Sequence, residues 1–563
     1  MAGSVVPVCM RECAGIELGC VMSAWRIGSV FAVLLGASFV AAPALAQERV
    51  AVLMSVPSPK LQFSAAQMDL AQAVSDDSDL AAFYGRNGLS PVFIGPRAEG
   101  RRQAVRDAIQ SMPRHGIPVA RYAPDSLPDN PRSVADEVAY AKQAAGLLRD
   151  LSGGILDPAS VDPEIKRVRT FAAIPEMLAK FQTASDPASV LSDAAPRNPA
   201  YLALQNALFG PEQLAAPQNL PRAPEAVWRV GQKGAGVMPL RDRLAAVGFT
   251  AEGADKTLYD AALSTAVAGY QRAAGLRADG IAGPQTIRLL NGDIPTGQGA
   301  RQRAILVAME RLRWMGTKDL GERYVWVNIP EFSTTIIENG NEVFRTRSVV
   351  GKNGEHMQTP EFSDMMSHVV VNPSWNVPRS ITTREYLPKL QANPNAVSHL
   401  DLVDGRGNVV SRSGINFNNY NARNFPFRLR EKPSEDNALG IVKFIFPNQW
   451  NIYLHDTPSK HLFANTNRAY SHGCVRIGDP RDLAQALLSK QTDNPAGMFQ
   501  RTLDSGREQW LTLRPAVPVH LVYFTAWPDQ SGTVRMYDDV YGRDAKVWAA
   551  LQAQGVGQDG AAS

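Results

Sequence analysis

Near residue 300 the sequence changes its period, and that change sets how many bodies the chain must build. Before it, apolar residues recur at helical spacing, as in Leu80-Ala81-Ala82-Phe83-Tyr84 and across 139–148. Breakers such as Asp157-Pro158 and Asp162-Pro163 separate these segments. One more helix, 301–314, leads into β-branched runs bounded by turns: 324–329, 333–338, 343–350 and 368–371, then 441–446, 451–455 and 517–524. A weaker run follows at 533–541. The interval 377–438 interrupts them; it is rich in Pro, Asn and Arg, with a helix expected near 382–391. A long insertion beside a β core points to a functional cap. A chain of this length exceeds one core. The expectation is an α+β multidomain protein: 47–225 a helical scaffold domain, with 184–224 partly linker; 231–295 a compact helical unit; 300–530 a β-rich domain; 531–563 a C-terminal strand and tail.

The N-terminus reads as an export signal starting at Met22, with 1–21 as upstream sequence. Arg26 is the positive n-region, and Ala44-Leu45-Ala46 is an A-x-A cleavage site. The apolar stretch between them, about 16 residues, is shorter than the roughly 20 that span a bilayer. Cleavage after 46 leaves no stable membrane span and sends the protein to the periplasm. Net charge is +4 on 58 basic and 54 acidic residues, with no basic tract for nucleic acid.

Of the four cysteines, Cys9, Cys13 and Cys20 precede or fall within that signal. Cys474 is then the one thiol of the mature chain, with no disulfide partner. A free thiol in an oxidising compartment needs a reason, and nucleophilic catalysis with a histidine is the candidate. Cys474 sits in Ser471-His472-Gly473-Cys474-Val475-Arg476, downstream of Tyr453-Leu454-His455-Asp456-Thr457. If 451–455 is a strand, Tyr453 and His455 share a face and His455 meets the thiol as general base. That pairing would lower the thiol pKa. Gly473 lets the backbone approach a substrate, and the Gly473 and Cys474 amides could form an oxyanion hole. Other readings stand beside these. His472 could serve the turn alone, and Tyr453 could be core. Arg476 could pair with Asp479 or a carbonyl, or take a substrate carboxylate. Asp456 could orient His455, although alternation puts it on the other face. Trp375 could be core or cap contact. His455, Asp456, His472 and Cys474 are also possible zinc ligands, but no H-E-x-x-H or comparable spacing is present, so neither metal nor cofactor is expected.

The unit at 231–295 carries Leu240-Arg241-x-Arg243-Leu244, Gly248, Tyr259-Asp260, Ala266-Val267, Tyr270-Gln271, Gly275-Leu276 and Asp279-Gly280-Ile281-Ala282-Gly283. It resembles the peptidoglycan-binding domain 1 family, a three-helix module, with helices expected at 240–247, 261–273 and 284–290. The residues matched are mostly core and turn positions, so a spacer that binds nothing remains open.

The β-rich domain resembles the L,D-transpeptidase catalytic domain of YkuD type, whose motif is a histidine, a spacer, then [ST]-H-G-C-x-[RN]. It is more closely similar to the YcbB-like subgroup, through Met309-Glu310-Arg311-Leu312-Arg313-Trp314, Asn372-Pro373-Ser374-Trp375-Asn376 and Gly154-Ile155-Leu156-Asp157-Pro158. The resemblance implies Cys474 as nucleophile, His455 as base, and His472 and Gly473 shaping an oxyanion hole. It implies Tyr453, Ser471, Arg476 and Trp375 facing substrate, and 377–438 as a capping insertion. It implies peptidoglycan stem peptides, a donor tetrapeptide and an acceptor, joined in 3→3 cross-links, with carbapenem-type β-lactams as covalent inhibitors. The same site would serve an L,D-carboxypeptidase, D-amino-acid exchange or lipoprotein attachment. A zinc wall peptidase and a non-catalytic wall-binding scaffold are the readings from other classes.

Overall fold

The structure, a computed structural model, describes residues 62–208, 219–274, 276, 279–293, 298–316 and 320–557. The export signal expected within 1–46 lies outside them. Among the described residues no helix is long and apolar enough to cross a membrane.

The first region is helical and packs around Val134–Gly153, which opens on a capping box between Ser133 and Asp136. Glu137 on this helix is buried and accepts from the Tyr84 hydroxyl and from the amides of Val92, Phe93 and Ile94. Within the stretch 184–224, expected partly as linker, the described residues include two helices, Pro187–Ser192 and Pro199–Leu208, burying Leu191, Tyr201 and Leu204. Pro187 and Pro199 occupy the first helical position, where a missing N–H costs nothing.

The second unit has the three helices expected, Val237–Ala246, Ala261–Ala273 and Pro284–Asn291, around Leu240, Leu244, Tyr259, Val267, Tyr270 and Leu290. The Gln271 side chain ties its central turn, accepting from Gly280 N at 2.9 Å and donating to Ile281 O at 2.9 Å.

The β-rich domain contains β1 (Arg323–Asn328), β2 (Ser333–Glu338), β3 (Asn341–Gly351), β4 (Phe362–Val371), β5 (Trp375–Asn376), β6 (Leu400–Val403), β7 (Arg428–Glu431), β8 (Val442–Ile445), β9 (Leu454–His455), β10 (Ala469–Ser471), β11 (Val475–Ile477) and β12 (Gln509–Val522). Its main sheet runs β10-β3-β11-β9-β8-β4-β12-β1-β2, and β2 also pairs β3, so the sheet closes on itself. Val325, Val327, Phe444, Leu454, Val475 and Val519 fill its interior. β4 and β12 begin well before the runs expected at 368 and 517. They are antiparallel, so the first half of β4, with polar residues such as Ser363 and Asp364, pairs with 517–521 of β12, and the first half of β12 pairs with 368–371; polar positions carry no apolar signal.

The insertion forms its own small sheet, β5-β7-β6, over a separate core of Val377, Leu390, Leu400, Phe417, Phe425 and Leu429. Its expected helix is continuous from 379 to 392, with a π-turn at Thr382–Tyr386. The segment 531–563, expected as strand and tail, forms a short strand at Val534–Met536 and then a helix, Arg543–Ala553, that buries Val547 and Leu551.

The helix Gln298–Trp314 joins these parts through buried charges. Glu310 accepts from Ile155 N at 2.8 Å, Leu156 N at 2.9 Å, Trp314 Nε1 at 2.9 Å and Arg313 Nη2 at 2.7 Å. Arg313 also reaches His115 O and the Tyr201 hydroxyl, in the helical region. Arg311 pairs with Glu361, just before β4, and with Asp544 of the C-terminal helix. Removing one partner of a buried pair costs about 3–5 kcal/mol, because the other charge is left without compensation. Glu310→Ala is therefore expected to destabilise the protein by that order, while Ala549→Ser at an exposed position of the C-terminal helix changes little. Thermal unfolding followed by circular dichroism checks both.

Candidate functional site

β9 and β11 lie side by side in parallel, with Val475 opposite Leu454 and Arg476 opposite His455. Leu454 and Val475 point into the sheet interior. Alternation then puts Tyr453, His455, Cys474 and Arg476 together on the other face. On the far side of β9, Lys443 of β8 is directly opposite His455 and joins the same face. The strand expected over 451–455 is only Leu454–His455. Asn448 explains the difference: its side chain accepts from the amides of Trp450 and Ile452 and donates to Ile452 O at 2.7 Å, while Asn451 takes a φ of 56°. This tight loop brings the Asn451 carbonyl within 3.6 Å of Cys474 Sγ, where it accepts from the thiol.

The sulfur has two donors, both from Tyr453: its backbone N–H and its hydroxyl. The Tyr453 hydroxyl in turn accepts from the Trp375 indole, whose N–H can only donate. A chain of hydrogen bonds thus runs from β5, at the root of the cap, to the thiol. Cys474 keeps some surface, yet protein encloses the sulfur. Burial pushes its pKa up to about 11, against the pull of the two Tyr453 donors and the Arg476 charge. His455 is buried, and burial, with Arg476 and Lys443 on either side, pushes its pKa down to about 3. The expectation that His455 holds a thiolate is therefore corrected. Desolvation and two neighbouring cations keep the imidazole neutral, and the resting site pairs a thiol with an imidazole.

His455 Nδ1 lies 2.5 Å from the carbonyl of Asp456. A carbonyl only accepts, so Nδ1 carries the proton and Nε2 the lone pair. The Asp456 carboxylate does not take part. It accepts from the amides of Ile441 and Thr457 and pairs with Lys460.

Ser471, expected to face substrate, is 2% exposed. Its hydroxyl donates to Cys474 O at 2.5 Å and accepts from Gly473 N at 3.2 Å, closing the turn. That bond engages the Gly473 amide assigned to an oxyanion hole. The Cys474 amide meets no acceptor among the described residues. Gly473 supplies the turn itself: its φ of +114° is strained for any residue with a Cβ. Thr359 donates to its carbonyl at 2.7 Å from behind. His472 turns away from the thiol and meets Glu385 Oε1, in the π-turn of the cap, at 2.7 Å. Trp375 packs edge-on against Tyr386 of the same turn. Arg476 does not pair with Asp479, which binds Thr346 instead. His455, Asp456, His472 and Cys474 thus do not converge as metal ligands, and no group of three His, Cys, Asp or Glu that could hold an ion occurs among the described residues.

Asn451, Thr359, Lys443 and Glu385 are the members that sequence reasoning missed. Lys443 alone carried a signal, as the one polar position in the apolar run 441–446.

Residues 322–497 match the YkuD family, "L,D-transpeptidase catalytic domain". Residues 78–208 match a "Scaffold domain", and 233–290 a "Putative peptidoglycan binding domain". A Haemophilus influenzae (strain ATCC 51907 / DSM 11121 / KW20 / Rd) protein named "Putative L,D-transpeptidase" is 34% identical over 266 residues, 47% of this chain and 53% of that one. The chain thus spans about half the length of the curated relative it matches. Two solved L,D-transpeptidases, from Xylanimonas cellulosilytica DSM 15894 and Stackebrandtia nassauensis, are 17% and 13% identical, each over 54% of this chain. They cover 100% and 96% of those chains, with TM-scores of 0.16 and 0.18.

A neutral resting thiol makes a direct prediction. Alkylation of Cys474 by iodoacetamide should keep rising above pH 9, with its midpoint nearer 11 than the ordinary thiol value. Tyr453→Phe removes the hydroxyl donor and should move that midpoint further up. The rate of carbamidomethylation against pH, by mass spectrometry, checks both.

Proposed function

We propose that this chain, with an L,D-transpeptidase catalytic domain at 322–497 and a peptidoglycan-binding domain at 233–290, forms 3→3 cross-links in peptidoglycan through a Cys474 acyl-enzyme. The observation that carries the reading is the parallel β9–β11 register, which sets a thiol and a neutral imidazole on one sheet face under the cap.

Cys474 Sγ attacks the carbonyl between the L-centre of meso-diaminopimelate and the terminal D-Ala of a tetrapeptide stem. Because the resting thiol is protonated, its proton passes to His455 Nε2 as the S–C bond forms. The Cys474 amide is the available donor for the oxyanion. The C–N bond then breaks, His455 returns the proton to the departing amine, and D-Ala leaves. A side-chain amine of a second stem attacks the thioester and gives its proton to His455. The new amide forms and the thiol is restored.

Water, a free D-amino acid or a protein lysine in place of that amine would give hydrolysis, exchange or lipoprotein attachment. The cap favours the amine. Its Trp375 and Glu385 close over the Tyr453 and His472 sides of the site and limit bulk water. The match to a peptidoglycan-binding domain and the export signal read at 22–46 support a periplasmic site for this reaction.

Mass spectrometry of the protein with a disaccharide-tetrapeptide, with and without acceptor stem, tests the reading. Expected are a thioester on the peptide containing Cys474 and a cross-linked dimer when acceptor is present. Folded Cys474→Ala should form neither, and His455→Ala should acylate roughly 10²-fold or more slowly. Dimer formed by Cys474→Ala would remove the assignment.

A carbapenem is also expected to acylate Cys474, opening its strained ring to a thioester, while bulkier penicillins react poorly. The adduct mass should appear on the peptide with Cys474 and be absent from Cys474→Ser. An adduct on a serine elsewhere would contradict the site.

A further inference from the structure

We infer that Trp510 is the floor of a sugar subsite, which takes the sugar ring at the head of the donor stem. This rests on the acyl-transfer reading above and adds a glycan contact to it.

The sheet register puts Trp510 on the same face as the thiol. Trp510 of β12 pairs with Val370 of β4, Val370 with Lys443 of β8, and Lys443 with His455 of β9. Their sequence neighbours Val369, Val371, Val442, Phe444 and Leu454 fill the interior, so these four side chains share the outer face. Trp510 is 52% exposed, yet its ring is held by three neighbours. The indole N–H donates to Glu508 Oε1 at 2.9 Å, the Lys443 ammonium lies 5.5 Å from the ring centre, and His368 stands edge-on at 5.5 Å. Glu508 also accepts from Ser374 N, at the root of the cap, so ring and cap share an anchor. A ring fixed in place yet left open is a preorganised apolar surface, and covering it gains hydrophobic contact at little entropic cost.

The chemistry around the ring selects its occupant. A pyranose presents C–H bonds from its flat side and hydroxyls from its edge. The C–H side suits the negative face of an indole. The hydroxyls would meet a rim of Lys443, Glu508 and His368, which supplies both donors and acceptors. A purely apolar ligand would cover those polar groups without pairing them.

Distance supplies the rest. β12 is the third strand from β9, so Trp510 stands about 14 Å from His455 at ~4.8 Å per strand. Three residues of a tetrapeptide stem separate the scissile carbonyl from the sugar. Extended, they span roughly 10 Å, and the ether link to the ring adds about one residue's length more. A stem seated on Cys474 and running across the strands toward β12 therefore brings its sugar over Trp510.

The test measures thioester formation on Cys474, without acceptor, from a disaccharide-tetrapeptide and from the sugar-free tetrapeptide. Omitting the acceptor confines the readout to the donor. The wild type should acylate roughly 10-fold faster per unit concentration with the sugar-bearing donor, the size of one stacked ring. Trp510→Ala should bring that ratio to within about twofold of one and leave the sugar-free rate unchanged, and Trp510→Phe should keep part of the preference. A second measurement needs no change at Trp510. In Cys474→Ala, where the donor stays intact, N-bromosuccinimide oxidation is mapped by peptide mass spectrometry. The disaccharide-tetrapeptide should protect the peptide carrying Trp510, and the sugar-free tetrapeptide should not. Equal acylation by both donors in the wild type would overturn the inference alone. So would a Trp510→Ala protein that keeps the preference, even if it slows with both donors, since the ring would then serve only the structure. Absence of protection by the disaccharide-tetrapeptide, or equal protection by the sugar-free peptide, would overturn it too. No thioester from either donor would overturn the acyl-transfer reading, and this inference with it.

Discussion

The parallel register of β9 against β11 is the constraint on which the rest of the site depends. Two strands of two and three residues, paired Leu454 to Val475 and His455 to Arg476, settle four chemical positions at once. A slip of one residue would turn Tyr453, His455, Cys474 and Arg476 into the sheet interior and bring Leu454 and Val475 out. The register is held from both ends. Asn448 ties the loop before β9, and Ser471, with Thr359 behind Gly473, ties the turn before β11. The interior residues Leu454 and Val475 resist the slip because their burial would be lost.

The electrostatics of this face follow from the same placement. Enclosure by protein favours the neutral form of both the thiol and the imidazole; the two cations add to this at the imidazole, while Arg476 opposes it at the thiol. Such a pair keeps the Cys474 thiol from being permanently ionised, and the thiolate is the form that oxidises. In the mechanism proposed above, the proton leaves the thiol for His455 only as the S–C bond forms.

The cap is joined to this face by side chains rather than by continuous backbone sheet. Trp375 reaches the thiol through Tyr453, and Glu385 meets His472 from a π-turn, a distortion that places one more residue in the helix and turns a side chain toward the site. Behind the sheet, the buried pairs of Arg311 and Arg313 tie the helical region, the closed sheet and the C-terminal helix into one scaffold. That scaffold anchors Glu361 at the start of β4, and β4 pairs β8, which pairs β9, so the positions of Lys443 and His455 depend on it.

The sequence by itself determined the division into helical and β-rich regions, the three helices of the second unit, the presence of an insertion, and the segments that carry the chemistry. These are properties of local period and local motif, and local backbone preference decides them. What it could not determine is where side chains with several possible partners would turn. Ser471 and Gly473 bond each other instead of a substrate, and Asp479 binds Thr346 and leaves Arg476 alone. His472 meets a glutamate 87 residues away in sequence. The pKa of Cys474 rises where pairing with a histidine predicted a fall. Each outcome depends on burial and on neighbours brought in by long-range strand pairing, and a desolvated group responds to everything within a few ångströms, whatever its distance along the chain.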